Sequence, residues 1–191
     1  MQDKSLSIDI ATLNQYEPKY LQAQMVTAVI LALGSNHRAT EYLSRVREKL
    51  ATLGKLKCSA AFENPDFTAT KEQPKPNYTN QCVYLELDSG MSLQQLQQLF
   101  KSFEGECHRV RESASILPAL SEGSLAQTEL SQVVLPPSAW RQVTMDIDIL
   151  LIKSEDNEAS GSCWIIMADR YPFKAHENAG ITALIARDVL F

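Results

Sequence analysis

Apolar positions along the chain fall into a short series of strand-like and helix-like patterns. Thr27-Ala28-Val29-Ile30-Leu31-Ala32-Leu33 is a nearly unbroken apolar run closed by Gly34-Ser35-Asn36, which predicts a strand buried on both faces. Leu43, Val46, Leu50 and Leu53 recur at intervals of three and four, the stripe of an amphipathic helix with Gly54 at its C-cap. Lys57 to Phe62 predicts a second strand leading into Asn64-Pro65-Asp66-Phe67, followed by a polar loop through Pro74 and Pro76. Val83, Leu85 and Leu87 alternate with less apolar neighbours, so Gln81 to Leu87 reads as a one-sided strand ended by Asp88-Ser89-Gly90. Ser92 and Gln95 have capping-box spacing, and Leu93, Leu96, Phe100 and Phe103 continue a helical stripe to about Arg109. A strand resumes over Val143 to Ile152; another is expected over Cys163 to Met167, and a short helix within Ala175 to Ala186.

Two stretches lack a period: residues 1–25, an N-terminal extension, and residues 112–139, a long loop or insertion rich in Ser, Pro, Glu and Ala. Over residues 26–191 the order strand, helix, strand, strand, helix, strand predicts one α+β domain. Its expected form is a ferredoxin-like α/β sandwich, a largely antiparallel sheet with helices packed on it.

Composition narrows the function. The 191 residues are 45% hydrophobic and 21% charged with a net charge of -5. That lacks the cationic excess of a nucleic-acid binder, so any phosphate chemistry needs a local cationic site. Cys58, Cys82, Cys107 and Cys163 form no C-x-x-C pair and read as reduced thiols rather than a zinc cage. No secretory leader is visible, and the longest apolar run, Ala28 to Leu33, is too short to cross a bilayer. A cytoplasmic protein without membrane partners is expected.

The most informative segment is Thr144-Met145-Asp146-Ile147-Asp148-Ile149-Leu150-Leu151. On a strand, Asp146 and Asp148 project from one face about 7 Å apart, with Val143, Met145, Ile147, Ile149 and Leu151 on the other. Two adjacent carboxylates repel each other and lose hydration, and a hard divalent cation such as magnesium relieves both penalties. Simple solvation of an exposed strand face accounts for the pair equally well.

Other segments add weight in the same chain order: Ala32-Leu33-Gly34-Ser35-Asn36, Tyr78-Thr79-Asn80, Arg109-Val110-Arg111 and Trp140 through Leu151. Together they resemble the hydroxymethyl-dihydropterin pyrophosphokinases over about residues 27–191, interrupted at 112–139. The resemblance implies ATP-dependent pyrophosphoryl transfer to the hydroxymethyl group of a reduced pterin, with release of AMP. It further implies magnesium held by Asp146 and Asp148, and phosphate contacts from Arg109 and Arg111. Tyr78 and Asn80 fall on the pterin-binding pattern, and Asn64, Pro65 and Phe67 on the loop that flanks it. Glu104 and Trp140 fall near the nucleotide, while Ser35 and Asn36 read as shaping a turn.

The departures are as specific. Val143 stands where the family has an arginine, with Arg141 nearby. His176-Glu177-Asn178-Ala179-Gly180 aligns with His-Glu-Arg-Ala-Phe, so Asn178 replaces an ATP-binding arginine and Gly180 an aromatic pterin cover. Pro172 stands at a histidine position, unless the register slips and leaves Arg170, Tyr171 or Phe173 as stand-ins. His37, His108 and His176 form no readable catalytic set and read as structural or solvent-facing. The alternative expectation is a degenerate relative that binds a pterin, a nucleotide or a partner without turnover. The pattern gives no oligomeric state.

Overall fold

The computed structural model describes residues 10–66, 69–72, 74–109, 142–154 and 163–185. Its centre is β2 (Met25–Ser35), the expected double-sided strand. Val29, Leu31 and Leu33 enter one hydrophobic core, and Ala28, Ile30 and Ala32 enter the other. Around it the chain builds α1 (Ala39–Ala51), β3 (Gly54–Asn64), β4 (Tyr78–Ser92), α2 (Leu93–Glu106), β5 (Asp146–Ser154), β6 (Cys163–Met167) and α3 (Ala175–Ile185), with a short β1 (Asn14–Tyr16) before β2. The six strands lie in the order β1-β6-β5-β2-β4-β3. All neighbours are antiparallel except β1 with β6. The β2-α1-β3-β4-α2-β5 unit is therefore a ferredoxin-like α+β sandwich. Helices α1 and α2 bury Leu43, Val46, Leu50, Leu93, Leu96 and Phe100 in the first core, whereas α3 buries Ile181 and Leu184 in the second, on the opposite face.

Several local expectations shift. Gly54 is not the C-cap of α1; the cap is Thr52, and Gly54 opens β3. A Cβ there would stand 1.9 Å from the Glu86 carbonyl oxygen, and backbone cannot swing aside as a side chain can. Gly54→Ala is expected to destabilise the protein by roughly 2–4 kcal/mol in urea unfolding, through strain at the β3–β4 pairing. Helix α2 has its capping box, with the Ser92 side chain accepting from Gln95 N–H and Gln95 reaching back to Ser92 N–H. It ends at Glu106 rather than near Arg109, because His108 adopts a left-handed φ of 59° and turns the chain out of the helix. Strand β4 continues to Ser92, and Asp88-Ser89-Gly90 lies where its pairing with β2 shifts register instead of ending the strand.

In β5 a register shift between Ile30 and Leu31 of β2 leaves Leu150 as an extra residue. The alternation breaks there, and Leu151 joins the second core rather than sharing a face with Ile147 and Ile149. The extension also folds onto the domain from Ile10 onward. Strand β1 pairs with β6 through its main chain, and the carbonyls of Gln22 and Gln24 accept from Gln94 and Leu93 at the start of α2. All three β1 residues are exposed, so no apolar alternation announced them.

Candidate functional site

The acidic pair is placed by contacts at the start of β5. Strand β5 begins at Asp146, not Val143, because the Val143 main chain is engaged elsewhere. The Asn36 side chain accepts its N–H at 2.7 Å, and its carbonyl accepts from Asn36 N–H at 3.0 Å and the Ser35 hydroxyl at 3.2 Å. Ser35 and Asn36 thus shape this junction, and Val143 is buried beneath it. One residue into β5, the buried Glu104 carboxylate accepts Ile147 N–H at 2.9 Å, fixing the backbone between the two aspartates. Asn36→Ala would leave the buried Val143 N–H without this acceptor. It is expected to cost about 1–3 kcal/mol in denaturant unfolding and to loosen the acidic pair.

Asp146 and Asp148, opposite Gly34 and Ala32 of β2, line one cleft of about 660 Å³. Each is met by an arginine from a different part of the chain. Arg109, brought back by the turn at His108, lies 3.9 Å from Asp146 with its side chain only 6% exposed. Arg170, after β6, donates from Nη2 to Asp148 Oδ2 at 2.5 Å, and that same nitrogen stands 3.6 Å from the buried Glu177 carboxylate. Glu177 also accepts Lys174 N–H at 2.7 Å, which ties the first turn of α3 into the cluster. Burial first, then the Asp146 charge, push the Asp148 carboxyl up to about 6, with Arg170 pulling the other way.

The opposite wall of the cleft carries Asn64, Pro65, Asp66, Lys75, Tyr78 and Asn80. Tyr78 pairs with Asn64 across β3–β4, while Asn80 sits beside Gly34, where a Cβ would come within 3.1 Å of its Oδ1. The Asn64 amide nitrogen is buried with no hydrogen-bond partner among the described residues, and Asn64 lines the cleft. Six residues singled out from sequence, Asn64, Pro65, Tyr78, Asn80, Asp146 and Asp148, therefore share one cleft. Phe67, Arg111 and Trp140 lie outside the described residues, as do residues 112–139 as a whole.

Lys174, His176 and Glu177 line the same cleft. His176, read from the sequence as structural or solvent-facing, is half-buried at this cleft, and burial lowers its pKa. Two of the replaced family positions after β6, Asn178 and Gly180, point elsewhere. The Asn178 amide donates to the Phe173 carbonyl at 3.0 Å. Gly180 faces the sheet, where a Cβ would lie 2.5 Å from Cys82 Sγ. Of the stand-ins that a slipped register offered, Arg170 is the one in contact with the acidic pair. Only the His-Glu of the family pattern signalled this end of the cleft, and nothing in the sequence tied Arg170 to Asp148.

A second cleft of about 220 Å³ adjoins the first, lined by Pro18, Gln97, Lys101, Glu104, Asp148, Asp169 and Arg170 among others. Asp148 borders both spaces, so it stands between a cleft with an aromatic ring and two amides and a smaller groove bearing two cations.

An acidic pair flanked by arginines, beside two adjoining clefts on a ferredoxin-like sandwich, has the charges that phosphate chemistry requires. The family model for 7,8-dihydro-6-hydroxymethylpterin-pyrophosphokinase matches residues 30–171, and the chain belongs to that family. The family's reaction is a pyrophosphoryl transfer in folate biosynthesis. The matched stretch ends before α3, so Lys174, His176, Glu177, Asn178 and Gly180 fall beyond it. No individual curated protein matches the chain.

Proposed function

We propose that the chain transfers a pyrophosphoryl group from ATP to the hydroxymethyl oxygen of 6-hydroxymethyl-7,8-dihydropterin and releases AMP. The supporting observation is the convergence of the acidic pair with Tyr78, Asn80 and Asn64 on one cleft of about 660 Å³, ample for a bicyclic heterocycle. Tyr78 offers a stacking face, and the two amides match the donor and acceptor edge of a pterin. Asp146 and Asp148 would hold magnesium. Among the described residues there is no group of three His, Cys, Asp or Glu fit for a metal, and two carboxylates completed by phosphate oxygens and water suit that ion. Bound there, magnesium would screen the triphosphate charge.

In the transfer, the hydroxymethyl oxygen bonds to the β-phosphorus and the bond from that phosphorus to the α-phosphate oxygen breaks. AMP leaves and the hydroxyl proton passes to solvent. The residues of this chain orient the two reactants and balance charge. Arg109 and Arg111 would contact phosphate, and Glu104 would act on the nucleotide side by holding Ile147. By the family resemblance, Trp140 would contribute to nucleotide binding and Phe67 to substrate binding. None of the four cysteines is in a disulfide, in keeping with a reducing, cytoplasmic setting, and no helix among the described residues is long and apolar enough to cross a membrane.

Incubation with ATP, magnesium and the pterin is expected to release AMP in step with pterin consumption. A second reading, ligand binding without turnover, is favoured by Val143 being buried and by Asn178 turning away from the cleft. Calorimetric binding of the pterin with no AMP above background would select it.

A further inference from the structure

Resting on the reading above, we propose that Arg170 is a further phosphate-binding arginine of this chain, exchanging between Asp148 and the polyphosphate of the nucleotide as a divalent ion takes the carboxylate. One Nη2 atom of its guanidinium lies 2.5 Å from Asp148 and 3.6 Å from Glu177, so both its contacts depend on a single nitrogen of a five-donor group. Its Nε is buried and lacks a hydrogen-bond partner among the described residues. The side chain is 26% exposed and borders the second cleft together with Lys101.

A cation this close to Asp148 opposes a metal ion at that carboxylate, since both compete for one negative charge. Once displaced, the guanidinium is left near the buried Glu177, with a planar fork suited to two phosphate oxygens. Glu177 is anchored by the Lys174 N–H and so keeps Arg170 at the cleft after it leaves Asp148. The exchange would supply the nucleotide with one positive charge, which neither Val143 nor Asn178 can.

The two halves of this exchange carry opposite signs. Calorimetry of parent and variant is run at one fixed pH of about 7.5, far above the ordinary range of an aspartate. Arg170→Gln is expected to tighten binding of Mn²⁺ alone by roughly threefold or more, because the competing charge is gone. The same variant is expected to weaken binding of magnesium with a non-hydrolysable α,β-methylene ATP by roughly tenfold or more. A merely structural role would weaken both together, and either that result or no change in the nucleotide titration overturns the proposal. Should Arg170→Gln fail to fold, Arg170→Lys keeps the charge and loses the fork. Nucleotide affinity is then expected to fall while Mn²⁺ affinity stays near that of the parent, and unchanged nucleotide affinity refutes the exchange. Absence of nucleotide binding by the parent chain would sink the pyrophosphokinase reading itself. A parent that binds nucleotide with an indifferent variant sinks only the role of Arg170.

Discussion

Asp148→Asn is expected to lose pyrophosphoryl transfer by about a thousandfold or more while leaving the protein at least as stable as before. The loss follows from removing one of two carboxylates available to a metal in the cleft. The stability follows from the environment of that carboxyl. Its pKa rises from the ordinary aspartate value of 3.8 to about 6 in the fold, chiefly through burial, so ionisation is harder in the folded protein than in the unfolded chain. Below about pH 4 both states hold the proton and there is no penalty. As pH rises toward 6 the unfolded chain ionises first and the fold loses stability, and above 6 the loss is complete and constant. The shift corresponds to at most about 3 kcal/mol, discounted to roughly 1–2 kcal/mol because the side chain is 28% exposed and screened by solvent. Urea unfolding of parent and variant should therefore coincide near pH 4 and diverge by pH 7.5, with the amide variant the more stable. Magnesium with nucleotide should reverse that order by stabilising only the parent. A variant that retains turnover would mean that the charge-handling groups lie elsewhere.

The second large effect concerns Gly180. Read as a family position, it invites restoration of the missing aromatic. The fold instead places residue 180 where α3 crosses β4, so that a Cβ added there would stand 2.5 Å from Cys82 Sγ and 2.7 Å from Cys82 Cβ. Neither distance is tolerable, and the Cβ of Cys82 is fixed to the strand. Gly180→Ala is expected to cost about 2 kcal/mol or more by lifting the helix, and Gly180→Phe to prevent a stable fold, without any gain in pterin affinity. Cys82→Ala in the Gly180→Ala background removes the sulfur but not the Cβ, so thermal denaturation should show partial recovery. Burial, and then the Glu177 charge, push the Cys82 thiol up to about 12. Cys82 is thus a packing group rather than a nucleophile, and the double variant reports on helix–sheet spacing alone.

These two cases mark where sequence reasoning carries and where it stops. Asp146 and Asp148 were legible because a strand's period of two puts them on one face whatever surrounds it. Tyr78, Asn80, Asn64 and Pro65 were legible because the family motifs have a fixed order along the chain, and the fold brings all six residues to one cleft. Gly180 was misleading because a matched position carries no information on which way its Cβ points. Arg170 was only one of several candidates, since its pairing with Asp148 spans 22 residues and depends on β6 lying beside β5.

By itself the sequence determined the elements with strong internal periodicity: the double-sided β2, the stripes of α1 and α2, the Ser92–Gln95 cap and the acidic pair. Each depends on side chains within one segment, where spacing alone assigns a face. The tertiary structure alone decided the features that depend on distant main-chain register. Strand β1 is held by hydrogen bonds to β6 rather than by apolar residues. The extra residue at Leu150 flips a face of β5, and His176, Glu177 and Arg170 are carried to the aspartates by the chain path after β6. Such placements follow from which segments pair and how closely they pack, and no local pattern of polar and apolar residues encodes that choice.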